Sequence, residues 1–173
     1  MNELILRFPT LEDKDKFIEY YNQYLDDNAN SDPLNYSKYK SYEEFLIEIG
    51  KEECLIKSTT KTIPTSSYLL VENNEIIGHI FIHHLIDLEV LREYEGHIGY
   101  GIRPSKRNQG YGTRMLSLAL EKCKDLCLKE VFLSCKKENI SSARIIEKNN
   151  GILLGETYIA EENSVFKKYK IVL

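Results

Sequence analysis

The stretch Gly101 to Arg114, GIRPSKRNQGYGTR, puts four cations and three glycines into fourteen residues. An apolar segment, EGHIGYGI, precedes it, and a segment of helical spacing, MLSLALEKCKDLCL, follows it. A helix entered in this way offers unpaired backbone N–H groups and the positive end of its dipole, and glycine lets an anion come close to the backbone. The loop Arg107-Asn-Gln-Gly-Tyr-Gly112 is therefore suited to cradle a pyrophosphate. It is not a P-loop, since GxxxxGK[ST] is absent, and its RxxGxG spacing is not the GxGxxG nucleotide fingerprint. The alternative is a plain basic turn that needs glycine.

Proton-transfer groups lie just upstream. Glu95 and His97 flank Gly96 at the start of the apolar segment, and an imidazole there needs no large pKa shift to accept a proton near neutrality. Alternatively Glu95 is a solvated charge at a strand end and His97 packs across a sheet. His79, His83 and His84 in GHIFIHHL invite a metal reading. On a strand His79 and His83 share a face and His84 takes the other. No carboxylate or cysteine stands at ligand spacing, so sheet histidines or polar groups beside a cleft are expected, and no metal. Cys54, Cys123, Cys127 and Cys135 show no disulfide spacing and are read as reduced; Cys123 and Cys127 continue an apolar helix stripe and are expected in the core.

The elements that must position these groups follow from periodicity and punctuation. ELILRF reads as a first strand. Thr10-Leu-Glu-Asp13 and Ser41-Tyr-Glu-Glu44 are starts of the capping-box kind, for helices to about Leu25 and Lys51. The hydroxyl-rich KSTTKTIPTSS is expected to be a loop. SYLLVE and EIIGHIFIHHL flank Asn73-Asn74 and predict an antiparallel hairpin. Next come the strand GHIGYGIRP, a helix over 110–127 with apolar residues at 115, 116, 119, 120, 123 and 127, the strand EVFLSCKK, and a helix over about 140–149 stopped by Asn149-Asn-Gly151. GILLGETYIA and SVFKKYKIVL close the chain as a hairpin. There are no internal repeats. The pattern is a mixed α/β domain, and 173 residues at 42% hydrophobic content suit one domain spanning 1–173.

Charge narrows the partners. The net charge is −4, but residues 10–53 carry −7 and residues 54–173 carry +3. An anionic ligand suits the basic part, a cationic one the acidic part. A pI of 5.7 without a basic stripe argues against nucleic acid. No apolar run reaches the roughly 20 residues that span a bilayer, and the N-terminus lacks the look of a secretory signal, so no membrane partner and a cytoplasmic location are expected.

At Arg107 to Gly112, between the strand GHIGYGIRP and the helix, the sequence resembles the (Q/R)xxGx(G/A) acyl-CoA signature of the GNAT superfamily of N-acetyltransferases. The wording GHIGYGIRPSKRNQGYGT is similar to a bacterial subgroup of that family. Asn139-Ile-Ser-Ser-Ala-Arg-Ile-Ile-Glu-Lys148, followed by Asn150-Gly151, is similar to the element after the family's fifth strand. The resemblance implies a strongly twisted, mostly antiparallel sheet of about six or seven strands with about four helices, its fourth and fifth strands splayed around the pantetheine of acetyl-CoA. It implies that the backbone of Tyr100, Gly101, Ile102 and Arg103 pairs with the pantetheine. The N–H groups of Asn108, Gln109, Gly110, Tyr111, Gly112 and Thr113 would hold the pyrophosphate, with Arg103, Lys106, Arg107 and Arg114 screening its charge. Asn139 and Ser142 would stand near the pantetheine; for Asn139 the alternative is a simple N-cap.

The reaction implied is direct attack of an amine on the thioester. An alkylammonium of pKa near 10.4 is about 3.4 units from neutral at pH 7, and the free amine costs about 4.6 kcal/mol to present. A base, or water leading to one, is therefore expected. The family's carboxylate position corresponds to Gly96, which leaves Glu95 or His97, and a backbone N–H near Tyr100 or Gly101 is expected to polarise the carbonyl. The family's frequent general-acid tyrosine is replaced by Ile146. An acyl-CoA sensor without chemistry, and transfer of another acyl group, are the alternatives. The acidic surplus of residues 10–53 favours a cationic acceptor amine. A homodimer is an expectation from similarity alone.

Overall fold

The computed structural model describes residues 3–27, 32–54, 63–86 and 96–173. Among them are seven strands and four α-helices. In order they are β1 (Leu4–Arg7), α1 (Lys14–Asp26), α2 (Tyr42–Glu53), β2 (Thr65–Glu72), β3 (Glu75–His83), β4 (Ile98–Ile102), α3 (Tyr111–Asp125), β5 (Glu130–Lys136), α4 (Ile140–Lys148), β6 (Ile152–Ile159) and β7 (Ser164–Val172). Antiparallel pairing gives a four-stranded sheet, β1-β2-β3-β4, and a three-stranded sheet, β5-β7-β6. Between β4 and β5 the described residues show a single bridge, Gly96 to Leu133, so the two strands meet at one point and separate beyond it. That is the splay the family resemblance implies.

Strand alternation sorts the apolar side chains onto two faces. Leu70 on β2 and Ile80 and Ile82 on β3 join Met115, Leu116 and Ala119 of α3 and Ile146 of α4 in one buried cluster. Leu69 and Val71, one residue out of phase, join Phe17 and Tyr20 of α1 and Phe45 and Ile49 of α2 in the other. The helix α3 ends at Asp125, two residues short of the expected stop. Cys123 is buried as expected, but Cys127 lies beyond the helix, exposed, at φ 61°. The core reading for Cys127 is thereby corrected: past the helix end the chain has turned, and the i,i+4 stripe no longer faces the sheet.

The Thr10–Asp13 box closes as predicted, whereas at α2 the carboxylate reaches one residue past the cap Ser41, to Lys40. The Glu44 N–H donates to Ser41 Oγ at 3.1 Å, while the Glu44 carboxylate accepts the Lys40 N–H at 2.7 Å. The Asp13 carboxylate accepts the N–H and hydroxyl of Thr10 and both guanidinium nitrogens of Arg7, the latter at 2.6 Å each. Burial alone would raise the Asp13 pKa; the bonds from Arg7 and Thr10 outweigh it and hold the carboxyl below its ordinary 3.8. A group depressed in this way stabilises the fold above its unfolded pKa, and the contribution fades as pH falls below about 3.8 through the lower native value. Asp13→Asn is expected to cost about 2 kcal/mol at pH 7. Urea titrations from pH 7 to pH 3 should show that gap closing in acid; a gap independent of pH would remove the assignment.

Candidate acyltransferase site

The exposed edge of β4 is set by its pairing with β3. His83 N–H donates to His97 C=O and Arg103 N–H to Ile77 C=O, both at 2.8 Å. With the register Phe81 to Gly99 and His79 to Gly101, these bonds fix the phase of the ladder. Gly99 and Gly101 exchange their amide bonds with β3, and the N–H and C=O groups of Ile98, Tyr100 and Ile102 point the other way, toward β5. An extended ligand lying in the splay would meet those groups. The N–H turned into it is that of Tyr100, and the alternative, Gly101, is turned to β3.

The two glycines also shape the far face. A Cβ on Gly99 would collide with the Phe81 ring, and one on Gly101 with the Tyr24 hydroxyl. On this side a cavity of about 740 Å³ opens between β4 and β5. Ile98 and Gly99 line it from one strand and Ser134 and Lys136 from the other; α2 adds Glu52, β2 Thr65 and β3 His83. The 3-10 turn Pro33–Lys38, not foreseen in the sequence, contributes Leu34 and Lys38. Lys136 is paired with Glu162 at 2.9 Å. Glu52 is half-buried, and burial raises its carboxyl pKa.

At the other end of β4 the cations of the basic loop have carboxylate partners within the fold. Arg103 donates to Glu19 at 3.0 Å, approaches Glu75 at 3.5 Å and lies over the Tyr20 ring. Arg107 donates to Asp27 at 2.6 Å and lies over Tyr24, and Lys106 pairs with Glu75 at 2.8 Å. These side chains are drawn to carboxylates of α1 and the β2–β3 hairpin, which fastens the loop to the body. The loop also presents backbone at the start of α3. Gly110, at φ 85°, precedes the first turn of α3 with no side-chain cap, and nothing lies within 4 Å of where its Cβ would be. Gly112 serves packing instead, because a Cβ there would strike Ile145 of α4. Gln109 donates to Ser105 C=O, and Arg114 is exposed on the first turn of α3.

Across the splay, the Tyr100 hydroxyl meets Ser142 Oγ at 2.8 Å, and burial raises the phenol's pKa so that it stays protonated. Asn139 Oδ1 accepts the Ser142 N–H at 3.0 Å, which makes Asn139 the N-cap of α4. Ile146 is fully buried. The hydroxyl of Tyr111 is engaged by Glu72 and that of Tyr158 by Asn163.

The histidines divide by partner. His79 is buried against the Tyr20 hydroxyl at 2.6 Å, and burial lowers its pKa to about 4. His84 Nε2 meets Ser66 Oγ at 2.9 Å. His97 is buried, stacked on Phe132, and its ring Nδ1 accepts the Phe132 N–H at 3.0 Å while its backbone N–H donates to Phe132 C=O at 2.7 Å. It pins the apex of the splay and does not line the cavity. Glu95 lies outside the described residues. Among the described residues no group of three or more His, Cys, Asp or Glu is placed to hold a metal ion, and no helix is long and apolar enough to cross a membrane.

The profile of the acetyltransferase (GNAT) domain matches residues 3–151. The chain belongs to the GNAT acetyltransferase family. Solved structures repeat its fold. A GNAT-family acetyltransferase from Bacillus anthracis is 21% identical over 99% of this chain and 96% of that one, with a TM-score of 0.64. The microcin C7 self-immunity acetyltransferase MccE, solved with acetyl-CoA and AMP, is 16% identical over 99% and 93%, with a TM-score of 0.75. The ribosomal L7/L12 α-N-protein acetyltransferase RimL, solved with coenzyme A, is 17% identical over 98% and 94%, with a TM-score of 0.69. At such identities the likeness is one of fold. No curated protein matches the sequence.

Proposed function

We propose that the chain is a single acetyltransferase domain that moves an acetyl group from acetyl-CoA to a primary amine by direct attack. The observation that carries this is the cavity of about 740 Å³ opening onto the splay, within the roughly 300–1,000 Å³ range of small-ligand sites. The chain's groups fit acetyl-CoA: the open edge of Tyr100 and Ile102 for the pantetheine, and the N–H groups of Asn108 to Thr113 around Gly110 for the diphosphate. Structural relatives were solved with acetyl-CoA or coenzyme A. Bound acetyl-CoA supplies the thioester that the amine attacks, the C–S bond breaking as the N–C bond forms. The Tyr100 N–H is turned to donate to the carbonyl oxygen as charge grows there. Ser142 holds the Tyr100 ring across the splay, with Asn139 fixing the helix start beneath it.

The acceptor enters from the cavity side. Glu52, half-buried and carboxylate-bearing, faces it, and an alkylammonium suits that position. Free thiol release should be scored with acetyl-CoA and a panel holding a polyamine, an aminoglycoside, an Nα-blocked lysine, a peptide with a free N-terminus and a neutral aromatic amine. Cationic acceptors are expected to turn over fastest, and Glu52→Gln is expected to raise KM for the best of them about tenfold, in line with the loss of one charge-assisted bond. A panel led by the neutral amine would remove the role of Glu52; no thiol release with any amine would remove the transferase reading.

A further inference from the structure

Of the two candidate bases from the sequence, Glu95 lies outside the described residues, and His97 is engaged by Phe132. Another histidine lines the cavity. His83 stands at the end of β3, two residues beyond Phe81 and on the same face, so it reaches the cavity where Gly99 leaves the strand bare.

Its hydrogen bonds select its tautomer. Thr65 Oγ1 lies 2.8 Å from Ile63 C=O and 2.9 Å from His83 Nδ1. A carbonyl cannot donate, so the single hydroxyl proton of Thr65 is used on Ile63. Oγ1 therefore accepts from His83, which places the imidazole proton on Nδ1 and leaves Nε2 with a bare lone pair. Resting on the acetyl-transfer reading above, we propose that His83 is the general base of the reaction, with Thr65 as the positioning residue that presents its Nε2 to the acceptor nitrogen.

The magnitudes decide which proton it takes. Burial, then the neighbouring His97 and His84, hold the imidazole down to about 4, so it is uncharged throughout the neutral range. A base that weak does not strip an ammonium of pKa near 10.4; that first proton goes to water at a cost of about 4.6 kcal/mol at pH 7. The second proton is different, because it becomes acidic as the nitrogen lone pair is committed to the new bond. In that step the N–H bond breaks, its electron pair stays on nitrogen, and the proton passes to Nε2 and on to water in the cavity. Glu52 and Lys38 line the same cavity, and His97 and His84 are neighbours of His83, but His97 Nδ1 is taken by the Phe132 N–H and His84 Nε2 by the Ser66 hydroxyl.

The test uses the full chain. In wild-type protein, nitrogen-15 NMR is expected to show His83 protonated on Nδ1 and not on Nε2, and Thr65→Val is expected to mix the two forms while Thr65→Ser keeps the first. With the fastest amine of the panel, His83→Ala is expected to lose about 10²–10⁴-fold in kcat, in line with one general base, with acetyl-CoA affinity unchanged and part of the rate returned by added imidazole. Thr65→Val is expected to lose about tenfold, and Thr65→Ser to recover it. Protonated Nε2 in the wild type, or His83→Ala within threefold of wild type, overturns the proposal and leaves the transferase reading standing. An inert wild type whose His83 has the stated tautomer overturns both the transferase reading and the role built on it.

Discussion

Gly96→Ala is expected to destabilise the fold by about 2–5 kcal/mol and to lower the melting temperature by roughly 5–15 °C, with activity falling as the sheets shift. The residue sits at φ 79°, where an L side chain costs about 1–2 kcal/mol. A Cβ there would collide with Phe132 C=O, lying 2.9 Å from the carbonyl carbon and 3.2 Å from Leu133 Cα. Both neighbours are backbone, so neither can swing aside, and forced overpacking adds about 1–3 kcal/mol. Among the described residues the position is also the single bridge between the two sheets, and it is followed by His97, whose ring and amide bind Phe132. Pushing Gly96 away from β5 therefore loosens the apex from which β4 and β5 diverge. Thermal melts of the variant, with acetyl-CoA titrated into it, check this; a variant as stable as wild type would show that the bridge does not hold the sheets. The family resemblance places a catalytic carboxylate at this position, and the close approach of Phe132 shows why no side chain stands here.

Much of this architecture was legible in the sequence, and the gaps have physical causes. Asn73 and Asn74, read as a hairpin turn, both adopt positive φ as a two-residue turn requires, and Asn150, also at positive φ, ends α4 as expected. The period-two and 3.6-residue patterns gave β2, β3 and α3 because each buries one set of faces. Thr65 and Ser66, before the expected strand start at Ser67, read as loop because hydroxyls resemble turn residues, yet they are buried strand: they are satisfied by His83 and His84, and β-pairing covers the backbone. Counting back from the turn would place Thr65 opposite Ile82. A bulge between Leu70 and Val71 shifts the register by one and brings His83 there instead. No local pattern announces such a bulge, and a shift of one residue exchanges the faces. The ion pairs of Arg103 and Arg107 are hidden from the sequence for a related reason. Their carboxylate partners Glu19 and Asp27 are 84 and 80 residues away, and only the folded chain brings them together.

Gly110→Asp separates the backbone cradle from any contribution of those arginines. The side chain has open space, and aspartate tolerates the left-handed conformation better than most residues, so the fold is expected to hold within about 1 kcal/mol. A carboxylate beside the first turn of α3 is even favoured by the helix dipole, by about 0.3–1 kcal/mol. Its effect on the proposed diphosphate site is the opposite. Two like charges about 5 Å apart repel by about 3 kcal/mol at an effective dielectric near 20, which corresponds to about a hundredfold loss of affinity. Gly110→Asn, of the same shape without the charge, is expected to bind within about threefold of wild type. Arg107→Ala is also expected to cost less than Gly110→Asp, because its guanidinium is already held by Asp27 and Tyr24. Calorimetric titration of acetyl-CoA into the three variants orders these effects. If Gly110→Asp bound as wild type does while Arg107→Ala did not, the anion would be held by side chains, and the uncapped start of α3 would be a feature of packing alone.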